Sequence, residues 1–285
     1  MDGWEWDETL FAGAARYYAR GRLPYAPGLA DALAGALGLD GRGRLLDVGC
    51  GPGTLALPLA HWFGEVVGVD PDSGMIAEAR SAAVAAGVAA KATWLRARAE
   101  ELPAGLGTFT VAVFGQSFHW MDRDLVARTV RGMLRPGGAL AHVADAKAEP
   151  WPAEELPHPA VPHAALDELV RRYLGPVRRA GRGVLPRGTP SGEAEVFARA
   201  GFTGPERLVV PGGRVLRRTW DDVVADVFSK SYSAPHLFGP RRAAFEADLR
   251  ALLRAASPSG CFAAHQPSTE VFLWRPSPGR DGDEY

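Results

Sequence analysis

The stretch Leu46-Asp47-Val48-Gly49-Cys50-Gly51-Pro52-Gly53-Thr54 decides how this chain is read. Leu45–Val48 is a short apolar run that stops at glycine, the pattern of a buried strand. Thr54–Phe63 beyond it reads as a helix with Leu55, Leu59 and Phe63 on one stripe, in which Pro58 deletes one helical bond. The glycines between them allow a sharp turn and a close approach of backbone to a bound ligand. A dinucleotide fingerprint, G-x-G-x-x-G, would need glycine at position 54, where the chain has threonine. The run is D-x-G-x-G-x-G instead, with an acid two residues ahead of the first glycine. That acid would repel a pyrophosphate and attract an ammonium group.

Working outward, strands alternate with helices. Val66–Val69 reads as the second strand and Ser73–Ala86 as a helix with Met75, Ile76 and Ala79 inward, closed by Gly87. Thr93–Ala97 and Val111–Phe114 are further strands. Asp122 caps a helix whose Val126, Val130 and Met133/Leu134 face inward. Arg135-Pro-Gly-Gly138 stops that helix before the strand Ala139–Val143. This alternation predicts a parallel sheet with right-handed crossovers, a doubly wound α/β core over residues 41–148. Residues 1–40 are expected as N-terminal cap helices.

Beyond the core the pattern changes. Glu149–Pro162 holds five prolines, and 149–200 is expected as a lid or linker containing the helices Ala164–Leu174 and Gly192–Ala200 around an Arg178–Pro190 loop. Residues 201–278 are expected as closing strands, Phe202–Val210 and Glu270–Trp274, with the inserted cap helices Trp220–Phe228 and Arg241–Ala255. Residues 279–285 read as a disordered tail.

Composition narrows the partners. The chain has 285 residues, 47% apolar and 23% charged, with a net charge of −1, so no global field draws it to nucleic acid or an anionic membrane. Two cysteines, Cys50 and Cys261, are too few for a disulfide framework. The opening segment lacks the apolar stretch of a signal peptide, and no uncharged apolar run approaches the roughly 18 residues of a membrane span. A cytoplasmic enzyme, monomer or homodimer, acting on a small molecule away from nucleic acid and membrane, is the expectation.

Asp70 ends the second strand 21 residues after Gly49, where a carboxylate can accept hydrogen bonds from both ribose hydroxyls of a nucleoside. With the acid ahead of the glycines, this favours S-adenosylmethionine over NAD. Here the chain resembles the class I S-adenosylmethionine-dependent methyltransferases, in particular their small-molecule branch, over about residues 10–145. The resemblance implies a Rossmann-like seven-stranded sheet, parallel with a terminal antiparallel strand, plus a helical cap. The two closing strands complete that sheet.

The resemblance also implies cofactor contacts at Asp47, Gly49, Cys50, Gly51, Asp70, Pro71 and Met75. Ala99-Glu100-Glu101-Leu102-Pro103 resembles the stretch that meets the adenine, implicating Ala99 and Glu100. Gly115-Gln116-Ser117-Phe118-His119-Trp120 resembles the segment beneath the methyl donor, implicating Gln116 and Ser117. Tyr18 and Arg22 resemble an N-terminal pair that clasps the cofactor carboxylate. The chain departs from the family pattern at Thr110 and Arg98, where acids are frequent.

For chemistry, His119 is the candidate catalytic residue, because a near-neutral imidazole beside the transfer centre suits deprotonation of a hydroxyl or amine. Packing with Trp120 to orient the loop is the other reading, since methyl transfer from a sulfonium needs mainly in-line positioning. Tyr232 is a cavity-lining or core residue. His158 and His163 lack neighbouring acids, and no magnesium-type aspartate cluster is present, so no metal is expected. Arg171, Arg172, Arg178, Arg179, Arg182 and Arg187 form a solvated lid face or a contact for an acidic or phosphorylated substrate. The transfer would go to an O, N or C nucleophile of a secondary metabolite or metabolic intermediate. The alternatives are a protein of this fold that binds the cofactor for a non-transfer reaction, and an RNA or protein methyltransferase.

Overall fold

The computed structural model describes residues 7–146, 156–177, 179–180, 183–184 and 191–278. Two helices, α1 (Ala15–Gly21) and α2 (Leu29–Leu37), precede β1 (Arg44–Val48). The core continues through α3 (Ala56–Leu59), β2 (Glu65–Asp70), α4 (Ser73–Ala85), β3 (Ala92–Arg96), β4 (Phe109–Gly115), α5 (Arg123–Met133) and β5 (Leu134–Asp145). After it come α6 (His163–Leu174), the two-residue strands β6 (Arg179–Ala180) and β7 (Gly183–Val184), and α7 (Glu193–Arg199). The chain closes with β8 (Phe202–Val210), β9 (Val215–Thr219), α8 (Trp220–Phe228), α9 (Arg242–Ala256), β10 (Cys261–His265) and β11 (Thr269–Pro276).

Seven strands form one sheet in the order β3-β2-β1-β4-β5-β11-β8. β1 through β5 pair in parallel. β11, the last strand of the chain, runs antiparallel to both β5 and β8. The edge strand β8 therefore points the same way as the first five, so only one of the two closing strands runs against the sheet. Strand order reverses between β1 and β4, which opens a crevice at their carboxyl ends where sheets of this type bind ligands.

Alternation along the strands builds two cores. Leu45 and Val66 face the side covered by α2, α3 and α4, and Leu46, Val48, Val67 and Val69 face the side covered by α5 and α7. Asp72 caps α4 by accepting from Met75 N–H at 2.9 Å, and Asp122 caps α5 by accepting from Leu125 N–H at 3.1 Å.

Three expectations need correction. The Thr54–Phe63 helix is only α3 followed by a 3₁₀ turn at Ala60–Trp62. Pro58 falls in the first turn of α3, where its missing N–H removes no intrahelical bond. The Arg135–Gly138 turn does not separate helix from strand, because β5 already begins at Leu134 and carries the turn as an irregularity opposite Phe109–Val111. The 149–200 segment divides: α6 packs Leu166, Leu169 and Val170 into a cap core with Val223, Phe228, Phe245 and Leu249, whereas α7 packs Val196 and Phe197 against the sheet. Of that segment, 149–155 and most of the Arg178–Pro190 loop lie outside the described residues, as does the 279–285 tail.

The antiparallel pair β9–β10 is absent from the sequence reading. It joins the cap, and α1 packs on α8 across from it.

Candidate functional site

The loop after β1 carries three glycines in left-handed conformations, and two of them show why. At Gly49 (φ 70°) an added Cβ would stand 2.5 Å from the Cβ of Ser117. At Gly51 (φ 52°) an added Cβ would meet nothing within 4 Å. Gly49 thus lets the β1 and β4 loops touch, while Gly51 faces open space that a ligand can fill.

Asp70 organises this loop. Its Oδ2 accepts from Gly51 N–H and its Oδ1 from Asp72 N–H, both at 2.9 Å. Burial nonetheless pushes its carboxyl up to about 6, against the lowering effect of those two bonds. Asp47, on β1, is 1% exposed, and its Oδ2 has no hydrogen-bond partner. Burial first, and the charge of Asp70 second, push Asp47 up to about 8, while a bond from Ala56 N–H opposes them. A buried carboxylate oxygen without a donor is a costly arrangement that a cationic ligand group nearby would relieve.

From the β4 end, Ser117 donates to Val48 O at 2.6 Å and ties the two loops together. Gln116 adopts a positive φ of 57°, unusual outside glycine, and its Nε2 donates to Asp145 Oδ2 at 2.8 Å. The Glu100 carboxylate accepts from Asp122 N–H at 2.8 Å and pairs with Arg98 at 3.3 Å.

Two cavities meet here. A cleft lies over the glycine loop. Of the residues expected at the cofactor, Tyr18, Gly49, Gly51, Asp70, Pro71, Met75, Ala99, Glu100, Gln116 and Ser117 line it. Asp47 lies beneath the loop rather than on the cleft wall. Cys50 is 4% exposed, with its thiol in the core close to Gly68, so its side chain faces away from the cleft. Burial, with Asp47 and Asp70 nearby, raises that thiol well above its ordinary range and keeps it neutral. The sequence reading missed Phe11, Val69 and Met121; Gly115 and Trp120, in the segment expected beneath the methyl donor, and Arg98, noted only as a departure, also line the cleft.

The second cavity, about 1000 Å³, shares Phe11, Tyr18, Gln116 and Trp120 with the first. His119, Arg22, Tyr232 and Asp145 line this larger cavity and not the cleft. Arg22 stacks its guanidinium 5.1 Å from the Tyr18 ring centre and donates to Ser229 O at 3.3 Å. His119 lies 4.7 Å, ring to ring, from Trp120. Among the described residues no cluster of His, Cys, Asp and Glu can hold a metal ion, and no helix is long and apolar enough to cross a membrane.

Residues 45–138 match a family model described as a methyltransferase domain. Over these residues the chain is similar to methyltransferase domains. It is 31% identical over 170 residues to an uncharacterized methyltransferase of Mycobacterium tuberculosis, covering 59% of this chain and 61% of that protein. It is 37% identical over 98 residues to a ubiquinone biosynthesis O-methyltransferase of Rhizobium etli, covering 34% and 39%. The chain thus aligns with less than two thirds of the length of either relative. Among solved structures, a methyltransferase from Thiobacillus denitrificans in complex with S-adenosylhomocysteine shares the fold, at a TM-score of 0.52 and 16% identity, covering 93% of this chain and 97% of that one.

Proposed function

We propose that this chain is a methyltransferase that moves a methyl group from S-adenosylmethionine to an O, N or C nucleophile of a small molecule held in the larger cavity. The observation that carries the reading is the common wall: Phe11, Tyr18, Gln116 and Trp120 border both the cleft over the glycine loop and the larger cavity. A donor in the first and an acceptor in the second would meet there. The O-methyltransferase relative supports a small-molecule acceptor.

The residues present fit the cofactor. Asp70 can accept from ribose hydroxyls with the lone pairs its backbone partners leave, and the orphaned Asp47 oxygen sits where an ammonium would be favoured. Bound there, the cofactor supplies an electrophilic methyl on sulfur. The chain's own work is to align the acceptor in line with that methyl, to exclude water with Trp120 and Phe11, and to receive a proton where the acceptor loses one.

The test is calorimetric titration with S-adenosylhomocysteine and NAD. Micromolar or tighter affinity for the first and none for the second is expected, with a raised melting temperature by mass action. Asp70→Ala should weaken binding by at least about tenfold, the scale of one lost charge-assisted hydrogen bond. Tight NAD binding with no response to S-adenosylhomocysteine overturns the reading. Binding without methylated product from labelled S-adenosylmethionine across an acceptor panel points to a non-transfer reaction on the same fold.

A further inference from the structure

Five cationic side chains line the larger cavity, Arg20, Arg22, Arg217, Arg218 and Lys230, against three carboxylates, Asp145, Asp222 and Asp226. This excess stands in a chain whose net charge is −1. Two of the cations are matched: Arg20 pairs with Asp222 and Lys230 with Asp226, each at 2.7 Å. The other three guanidinium groups have no carboxylate within ion-pair distance among the described residues. Asp145 is bonded instead by the Gln116 amide.

The unmatched arginines meet only neutral acceptors. Arg218 is 8% exposed and its Nη2 donates to the carbonyls of Arg20, Gly21 and Asp222 at 3.2, 2.5 and 3.0 Å. Arg22 donates to Ser229 O, while its Nε is buried without an acceptor. Arg217 donates from Nε to Cys261 Sγ at 3.1 Å. Arg218 is withdrawn from water and satisfied by neutral oxygens alone, half-buried Arg22 faces Asp145 without an ion pair, and Arg217 stays exposed beside them, a cationic cluster that an anion in the cavity would complete. Arginine's planar fork suits carboxylate and phosphate alike. Phe11, Trp120, Tyr232 and Leu55 supply apolar wall, and the volume, about 1000 Å³, stands at the top of the roughly 300–1,000 Å³ of an ordinary ligand pocket.

We propose that the acceptor is a bulky, largely apolar molecule bearing an anionic group, carboxylate or phosphate, and that Arg22, Arg217 and Arg218 receive that group. This rests on the larger cavity being the acceptor side. Arg217 and Arg218 belong to β9, away from the glycine loop, and neither borders the cleft. They are therefore placed for the acceptor rather than for the cofactor carboxylate.

The experiment compares 2-naphthoate, 2-naphthyl phosphate and the neutral 2-naphthamide by calorimetry on protein saturated with S-adenosylhomocysteine. At least one anion should bind about tenfold or more tighter than the amide, and which of the two is preferred separates carboxylate from phosphate. Arg217→Gln and Arg22→Gln should each remove most of that preference, and Arg217→Gln should leave S-adenosylhomocysteine affinity unchanged. Arg218 clamps three backbone carbonyls and is left intact because its loss threatens the fold. Equal binding of anions and amide, no binding of either, or a preference that survives both substitutions overturns the proposal. Competition between anion and S-adenosylhomocysteine also overturns it, by assigning the arginines to the cofactor. Should S-adenosylhomocysteine itself not bind, the cofactor reading fails alone, and the same comparison on the free protein still decides the charge preference.

Discussion

The cleft and the larger cavity share a wall but are built in opposite ways. The cleft is made by two loops that leave adjacent strands, β1 and β4, and lock on each other through Ser117 and Gly49. Its demands are local, for backbone turns, for no side chain at Gly49, and for one acid at the end of β2. The larger cavity collects side chains from α1, the loop before α2, β9, α8 and the segment after it, remote in sequence. A site of the first kind tolerates little change at few positions. A site of the second kind can change its lining residue by residue while the sheet stays as it is, which is how one fold can serve many acceptors.

The sharpest way to break this contrast is at the two glycines. Gly49→Ala adds a Cβ 2.5 Å from Ser117 Cβ at a φ of 70°, combining backbone strain with overpacking. Together these cost on the order of 2–5 kcal/mol, and ligand binding should be lost. Gly51→Ala adds its Cβ to open space. It should cost only about 1–2 kcal/mol for its positive φ and leave a folded protein that binds S-adenosylhomocysteine more weakly. Denaturation and titration of both variants check this. Equal stability of the two would show that the loops are not locked at Gly49.

The same contrast explains what could be read from the sequence. The glycine run, Asp70 and Gln116-Ser117 are legible because turn geometry and strand ends impose their residue types locally. Phe202–Val210 and Trp220–Phe228 have the bounds expected of them, since periodicity and flanking glycine or threonine mark their ends. Cys50 misleads, because nothing in the sequence says that its thiol turns toward Gly68 and Trp94. β9 is invisible for another reason: Val215-Leu-Arg-Arg-Thr places arginines on both faces, and burial of Arg218 depends on carbonyls nearly 200 residues away. Phe11, just ahead of α1, reaches the cleft because α1 is laid against α8 and α4, which no local pattern encodes.

A second, smaller effect tests the buried acid under the cleft. Asp47 is pushed up to about 8 and Asp70 to about 6, above the roughly 4 of an unfolded aspartate. The folded state therefore holds protons that the unfolded chain has released. The stability from this source is fully present below about pH 4, falls as pH rises, and is lost above about pH 8. Asp47→Asn cannot ionise, so its melting temperature relative to the parent should climb as pH is raised from 4 to 9. Binding of S-adenosylhomocysteine at pH 7 should release a proton in the parent and less in Asp47→Asn, as calorimetry in buffers of different ionisation heat reads out. A difference between parent and variant that stays flat with pH would show that Asp47 is already ionised in the free protein.

The smallest effect on the cofactor is expected at His119, which lines the larger cavity but not the cleft. His119→Ala should leave S-adenosylhomocysteine affinity within about threefold of the parent, because no charge-assisted bond to the ligand is lost. Its effect on turnover is a separate question, and the two roles left open by the sequence make different predictions. A general base supplies about 100-fold or more, and the parent rate would then rise with pH through a histidine-like pKa, a rise that His119→Asn abolishes with the rate. A residue that orients the loop through its contact with Trp120 would cost less, and His119→Asn would recover much of the loss with the pH profile unchanged. Single-turnover transfer across pH, for the parent and both variants, separates these outcomes. A large loss of cofactor affinity in His119→Ala would mean that the cleft and the larger cavity are not independently built at their common wall, because Trp120 borders both and His119 would then be holding it in place for the cofactor as well.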